Sequence, residues 1–398
     1  MRISSSMIFQ NGVTNILDQQ AKLAKTQAQM SSGKKVVNPS DDPTAAVSIL
    51  QLQHNIDINN TYQSNINYAQ SSLSTEESTL GNSLDLLQRI RELSVQANSG
   101  VMSDSDLKSI SKEIQQDLNG ILALANSQDG SGNYLFSGNR TTTKPFDQGS
   151  GGFNYSGDQG QRVIQIGQNR QTAITDSGYD VFQKIKNGNG TFVTTYNVGN
   201  TGSGVISTGQ ITDPTAWVPD TYTLTFLTPT TYEVRDSSSA LITTGTYQSD
   251  GAINFNGAQI SIGGAPAAGD IFTIAPSTHQ DVFATVNNLI TALNGSVEDP
   301  ASRAKFGSDI NQVLISIDQA MNHIDNVRAD IGARLNAIDS QKIANGDFIT
   351  ASQTALSAMQ DLDYTEAASR LSQQLLALQA AQQSFVKLQN LSLFNYIQ

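Results

Sequence analysis

Cysteine is absent from all 398 residues. That excludes disulfides and any thiolate metal site. Charged residues make up only 15% of the chain, so its water-facing surface must be carried by Ser, Thr, Asn, Gln and Gly. Three histidines, His54, His279 and His323, stand far apart in sequence. No H-E-x-x-H, G-x-S-x-G, P-loop or dinucleotide fingerprint is present. No apolar run approaches the roughly 20 residues of a membrane span. The first residues, Met1-Arg2-Ile3-Ser4-Ser5-Ser6-Met7, lack an apolar h-region and a small-residue cleavage site. The expectation is a protein that is cytosolic or leaves the cell by a route that reads no cleavable signal.

The charge that is present is acidic, with 23 Lys+Arg against 35 Asp+Glu for a net of −12. This argues against nucleic acid or an anionic membrane as partner. Its placement is uneven. Residues 1–35 hold five cations against Asp18, a net of +4, and residues 364–398 hold Arg370 and Lys387 against Glu366, a net of +1. The remaining −17 lies between them. Such a distribution suits ends buried in an assembly and a body facing water.

Three zones follow one another. Residues 1–126 and 281–398 read as helical, and about 134–280 is Gly/Thr-rich and strand-like. A strand-rich block between two helical arms suggests an insertion whose flanking arms meet in space.

The arms carry seven-residue spacing. Phe9, Val13, Ile16, Leu23 and Met30 fit a 4-3 repeat with Gln20 and Gln27 at the missing steps. Leu52, Ile66, Leu73, Leu80 and Leu87 lie at multiples of seven. The longest run is Phe306, Ile310, Val313, Ile317, Ala320, Ile324, Val327, Ile331, Arg334 and Ile338, with one polar member. Near the end, Tyr364, Ala368, Leu371, Leu375, Leu378 and Phe385 are assigned to one seam, and Gln374 to a face outside it. A 3.5-residue period over these lengths predicts long helices in coiled-coil-like bundles. Each terminal stripe also lacks an internal partner long enough to bury it, which predicts ends that fray in the monomer and are buried by assembly.

Caps agree with these helices. Gly33 closes the first helix, and Asp42-Pro43 and Asp299-Pro300 each offer an N-cap acceptor before a proline. Ser103-Asp104-Ser105-Asp106 starts a helix whose Leu107, Ile110, Ile114, Leu118, Ile121 and Ala125 share one face. In the middle block, Tyr222-Thr223-Leu224-Thr225-Phe226 and Ile260-Ser261-Ile262 alternate, with turns at Asp250-Gly251, Asn256-Gly257 and Gly263-Gly264. A small antiparallel β domain is expected there.

Chemistry-bearing constellations are weak. Asp41-Asp42 is explained by capping, and His323 lies off the 4-3 run on what reads as a solvated face. Asp129-Gly130-Ser131-Gly132-Asn133 has some features of a calcium loop, but Arg140 stands where the closing acid belongs. No catalytic, cofactor-binding or metal-binding residue is assigned, and no cofactor is expected.

The arms resemble the flagellin superfamily, and within it the hook-associated protein 3 family. Ser31-Ser32-Gly33-Lys34-Lys35 and Asn38-Pro39-Ser40-Asp41-Asp42-Pro43 resemble the turn after flagellin's first helix, and Gln88–Asn98 resembles its second-helix segment. Asn133-Tyr134-Leu135-Phe136-Ser137-Gly138 with Pro145-Phe146 is similar to a junction-protein motif. Ser384–Ile397, ending Leu391-Ser392-Leu393-Phe394-Asn395-Tyr396-Ile397, matches that family's ending nearly position for position. The resemblance implies a mainly α, rod-shaped multidomain subunit with an inserted β domain and discontinuous long terminal helices. The division would be 1–35 with 363–398 for assembly, 36–185 with 280–362 for a helical-bundle rod, and 186–279 for an outer β domain. It implies a structural subunit rather than an enzyme, extracellular in the bacterial flagellum. Its partners would be neighbouring copies of itself, hook-associated protein 1 on the hook side, flagellin on the filament side and an export chaperone, with no nucleic acid and no membrane. Assembly would use Ile3, Phe9, Val13, Ile16, Leu23, Leu371, Leu375, Leu378, Phe385, Leu391 and Phe394. A flagellin filament subunit is the nearest rival reading. An adhesive module on the β domain, or a secreted enzyme with coiled-coil arms, are rivals of other classes.

Overall fold

The computed structural model describes residues 5–99, 102–149, 152–295 and 297–394. Long helices bracket a β-rich middle. The helices are α1 (Ser5–Ser32), α2 (Pro43–Ala97), α3 (Asp104–Ala125), α4 (Val282–Asn294), α5 (Pro300–Gln360) and α6 (Tyr364–Phe394). The chain forms two compact units, one of residues 1–64 with 341–398 and one of residues 65–340. The dividing points fall inside α2 and α5.

The larger unit owes its core to the seven-residue spacing. Ile66, Leu73, Leu80 and Leu87 of α2 are fully buried, as are Ile310, Ile317, Ile324, Ile331 and Ile338 of α5. The predicted face of α3, Leu107 through Ala125, is buried throughout. Ser103 and Asp106 form a reciprocal capping box at its start, satisfying two backbone donors that the first turn leaves open. On α5, Asp299 accepts from the backbone of Ala301 and Ser302. Phe136, Phe146, Phe182 and Phe283 complete this core, with ring centroids 5.0–5.8 Å apart. The Tyr134-Leu135-Phe136 motif therefore supplies core aromatics from a run of turns. Regular strand begins later than about 134, at Phe146.

Two short hairpins adjoin the helices, β1 (Phe146–Gly149) with β2 (Gly152–Tyr155) and β3 (Val163–Gly167) with β4 (Arg170–Ala173). The strands β5 (Ile185–Lys186) and β15 (His279–Gln280) pair where the chain enters and leaves the β domain. Between them run β6 (Phe192–Tyr196), β7 (Val205–Ile206), β8 (Gln210–Ile211), β9 (Tyr222–Thr228) and β10 (Thr231–Arg235). They are followed by β11 (Leu241–Thr246), β12 (Ala252–Phe255), β13 (Ala258–Gly263) and β14 (Ile271–Pro276). One antiparallel sheet has the order β11-β10-β9-β14-β6, and a second has β12-β13-β7 with β8 also on β13. Alternation decides which side chains are inside: Tyr222, Leu224 and Phe226 are buried with Ile260, Ile262, Phe272 and Ile274 in a core of their own. The β12–β13 hairpin turns on Asn256 and Gly257, both at positive φ (42° and 76°), as a two-residue primed turn requires.

Polar anchors tie this domain to α5. The Tyr196 hydroxyl donates to Asp309 at 2.8 Å, and Lys305 Nζ donates to the Val198 carbonyl at 2.7 Å. Burial holds the Asp309 carboxyl above its usual range, with the Tyr196 bond opposing it. Because the β core is separate from the helical core, deleting about 186–279 and closing the gap with a short Gly/Ser linker should preserve the far-UV helical signal. Some stability is lost, since Asp309 surrenders its partner. Collapse of the helical signal would show that the helices depend on the β domain.

His323 departs from the solvated face expected of it. It is half-buried, and its Nε2 donates to the Asp180 carbonyl at 2.6 Å. Arg334, the polar member of the long α5 run, is paired with Asp176 at 2.7 Å.

Candidate assembly surface

In the smaller unit, helix breaks are pinned together. Gly33 takes φ 69°, a left-handed C′ conformation that glycine adopts without strain. Its carbonyl accepts from Leu362 N at 3.0 Å, and Lys35 N donates to the Gln360 carbonyl at 2.7 Å. The break between α5 and α6 is thus bonded to the break after α1. Asp363 then caps α6 through Thr365 N and Glu366 N, while Asp42 caps α2 through Ala45 N.

From this joint α1 and α6 pair along their length, so the two terminal helices do partner each other. The seam runs through Gly12, Ile16, Gln19, Leu23, Thr26 and Met30 of α1, which are buried or half-buried. Its α6 side is Ala367, Leu371, Gln374, Leu378, Ala381 and Phe385. Both sets step 4-3, as coiled-coil pairing demands. Phe9 meets Phe385 with ring centroids 4.7 Å apart. Gly12 lies against the same ring, where a Cβ would stand 2.8 Å from a Phe385 ring carbon.

Of the residues assigned to assembly, Ile16, Leu23, Leu371, Leu378 and Phe385 lie in this intramolecular seam. Phe9 and Val13 remain exposed, and Leu375 is 49% exposed. Leu391 and Phe394 fall in the last turns of α6 with their side chains outside the described residues, and Ile3 lies outside the described residues altogether. Two expectations need correction. Ala368 and Leu375 face away from the α1 seam, Gln374 is inside it, and Tyr364, though exposed, reaches the end of α1, its hydroxyl donating to the Met30 carbonyl at 3.3 Å. The physical reason is that α6 carries two overlapping apolar stripes, and its α1-facing stripe is completed by Ala367, Gln374 and Ala381 rather than by leucines.

A second apolar set is left outside the pair: Met7, Ile8, Val13 and Leu17 on α1, and Leu375, Leu376 and Val386 on α6. Leu17 and Leu376 are 57% and 69% exposed. Large aliphatic side chains left in water on a helix pair whose seam is already filled are of the kind that marks association. No group of three or more His, Asp or Glu placed to hold a metal occurs among the described residues. Within the same set, no helix is long and apolar enough to cross a membrane.

The family comparisons fall on these same helices. The bacterial flagellin N-terminal helical region matches residues 3–141, and the bacterial flagellin C-terminal helical region matches 314–397. A flagellar hook-associated protein 1 D2-like domain matches 195–276. The crystal structure of flagellar hook associated protein-3 from Legionella pneumophila superposes with a TM-score of 0.76 at 34% identity, covering 78% of this chain and 98% of that one. The chain belongs to the flagellar hook-associated protein 3 family. Its full-length likeness extends to flagellar hook-associated protein 3 of Salmonella typhimurium, 25% identical over 395 residues and 99% of both chains. Against Phase 1 flagellin of Salmonella naestved the identity is 37%, but over only 123 residues, 31% of this chain and 24% of that one. The flagellin family regions therefore fall on the two terminal arms, and the likeness over the whole length is to the hook-associated proteins 3. These relatives are structural components of the flagellum, and this chain is one too.

Proposed function

We propose that this chain joins hook to filament by polymerising with copies of itself through α1 and α6. Hook-associated protein 1 would adjoin it on one side and flagellin on the other. The observation that supports this is the apolar set of Val13, Leu17, Leu375, Leu376 and Val386, exposed on a helix pair whose own seam is already filled. Burying such a surface at about 25 cal/mol per Å² drives association. Each helix is already paired, so assembly orders less chain than it would for free arms.

The division into an assembly domain (1–35 with 363–398), a rod domain (36–185 with 280–362) and an outer β domain (186–279) is part of this reading. It is supported by the bonded breaks at Gly33 and Leu362 and by the separate β core. The role needs no catalysis. It does need export of an extracellular subunit without a cleaved signal, unfolded through the flagellar channel and escorted by a chaperone. A chain without cysteine, its elements stitched by hydrogen bonds rather than disulfides, suits folding after such passage.

A strain lacking the gene is expected to keep its hooks and to shed flagellin into the medium as monomer, seen by electron microscopy and by blotting the supernatant. Filaments attached to hooks in that strain would defeat the proposal.

A further inference from the structure

Beside the α1–α6 seam, the smaller unit contains a cavity of about 290 Å³. Lys22, Lys25, Lys35 and Arg370 line it, against Asp41 and Asp42. Both carboxylates are engaged within the fold. Asp41 accepts from Lys25 at 2.9 Å and from Asn38 N at 3.1 Å, and Asp42 caps α2. Lys22 and Lys35 have no carboxylate within 4.0 Å among the described residues, and Arg370 reaches only Glu366, at 3.9 Å. One further donor, Arg370 Nε, is buried on the wall without a hydrogen-bond partner, and one turn on the acceptor Gln374 Oε1 is also unpartnered. A chain of net charge −12 therefore keeps a recess with four cations against two carboxylates. Concave, positively lined sites with spare donors take carboxylates.

The matching surface lies elsewhere on the same unit. Asp347 of α5 is exposed and has no polar partner among the described residues. Its neighbours on that face, Ile343 and Phe348, are 66% and 47% exposed. The Asp347 carboxylate has no cation of its own, while Lys22 and Lys35 of the recess have no carboxylate of their own, and Val37, close in sequence to the recess, is exposed. A recess on one face and its complement on another make a heterologous contact, the kind that builds rings or helical tubes.

We infer that the recess is a socket for Asp347 of a second copy, so that neighbouring subunits engage head to tail. This rests on the proposal that the chain assembles with itself, and it names the contact that sets subunit register. Charge pairing of this kind fixes partner and orientation more than raw affinity.

The test uses four full-length variants expressed in a strain lacking the gene: Lys22→Glu with Lys35→Glu, Asp347→Lys, all three together, and Leu375→Asp. Filaments per cell, secreted protein and circular dichroism of the secreted chain are measured. Each reversal alone is expected to cut attached filaments by roughly tenfold or more, with unchanged helicity, and the three together are expected to restore them. If reversal lowers helicity, Lys22→Gln with Lys35→Gln removes the charge without crowding Asp41 and Asp42, and the same loss is expected. Reversals that keep filaments while Leu375→Asp loses them overturn the socket and leave self-assembly standing. Filaments kept in all variants overturn both. Loss in the single sets without rescue in the combined one excludes Asp347 as the counterpart.

Discussion

Leu375→Asp is expected to abolish filament retention while the secreted monomer stays as helical as wild type. Leu375 is 49% exposed and Leu376 69%, so in the free subunit a carboxylate at this position remains in water and costs little. In a polymer that buries the stripe the same carboxylate loses its hydration without a partner. That penalty is several kcal/mol unless the group neutralises, and it recurs at every subunit contact. The contrast is Leu371→Asp, in the α1-facing seam, which should loosen the monomer's own helix pair and show as lost helicity and faster proteolysis of α1 and α6. Gln374 is no neutral control, because it lies in the seam and on the wall of the cationic recess. The measurements are attached filaments, secreted protein and far-UV circular dichroism. Filaments retained with Leu375→Asp would end the assembly argument. A monomer unfolded by it would turn the defect into one of stability.

How far the sequence reaches can be seen by comparing α5 with α6. On α5 the 4-3 run from Phe306 to Ile338 is buried almost throughout, because one apolar stripe of β-branched residues has one packing solution. On α6 the leucines at 371, 375, 376 and 378 support two stripes at once, and hydrophobicity alone cannot say which faces α1. The deciding neighbours are Gly12, which makes room for Phe385, and the small or polar Ala367, Gln374 and Ala381, which carry no apolar signal. Caps and turns were legible because they are local: Asp42, Ser103, Asp299 and Asn256-Gly257 act within four residues of themselves. His323 was not, since its partner Asp180 lies 143 residues away. Arg334 left a trace, a lone cation in an apolar run, but its partner Asp176 is 158 residues distant. The cationic recess joins Lys22 to Arg370 and could be read only as the surplus positive charge of both ends.

The second large effect is expected where that Arg334 pair meets α2. Glu76 is fully buried. Its Oε1 accepts from Asp176 N at 2.9 Å, and its Oε2 has no partner among the described residues. The Asp176 carboxylate is held by Arg334 at 2.7 and 2.9 Å and by Gln161 at 2.6 Å. Burial first, and then the charge of Asp176, push the Glu76 carboxyl well above the usual range, with the Asp176 N–H, Arg334 and Arg162 opposing more weakly. A carboxyl raised on folding contributes stability that is complete below its unfolded pKa of about 4.5 and is lost as pH rises through its folded value. Glu76→Gln keeps an acceptor for Asp176 N and has no proton to lose. It is expected to match wild type near about pH 5 and to exceed it progressively toward about pH 9, read from urea unfolding at each pH. Arg334→Met should act in the opposite sense, costing about 3–5 kcal/mol, because it leaves Asp176, only 8% exposed in its side chain, as an unpaired buried charge beside Glu76. In the double variant the loss should shrink, since Asp176 no longer faces a second ionisable carboxyl. A difference between wild type and Glu76→Gln that stays constant from about pH 5 to pH 9 would mean that Glu76 does not hold its proton in the folded chain. An Arg334→Met variant within about 0.5 kcal/mol of wild type would mean that Asp176 is not the buried charge this arrangement requires.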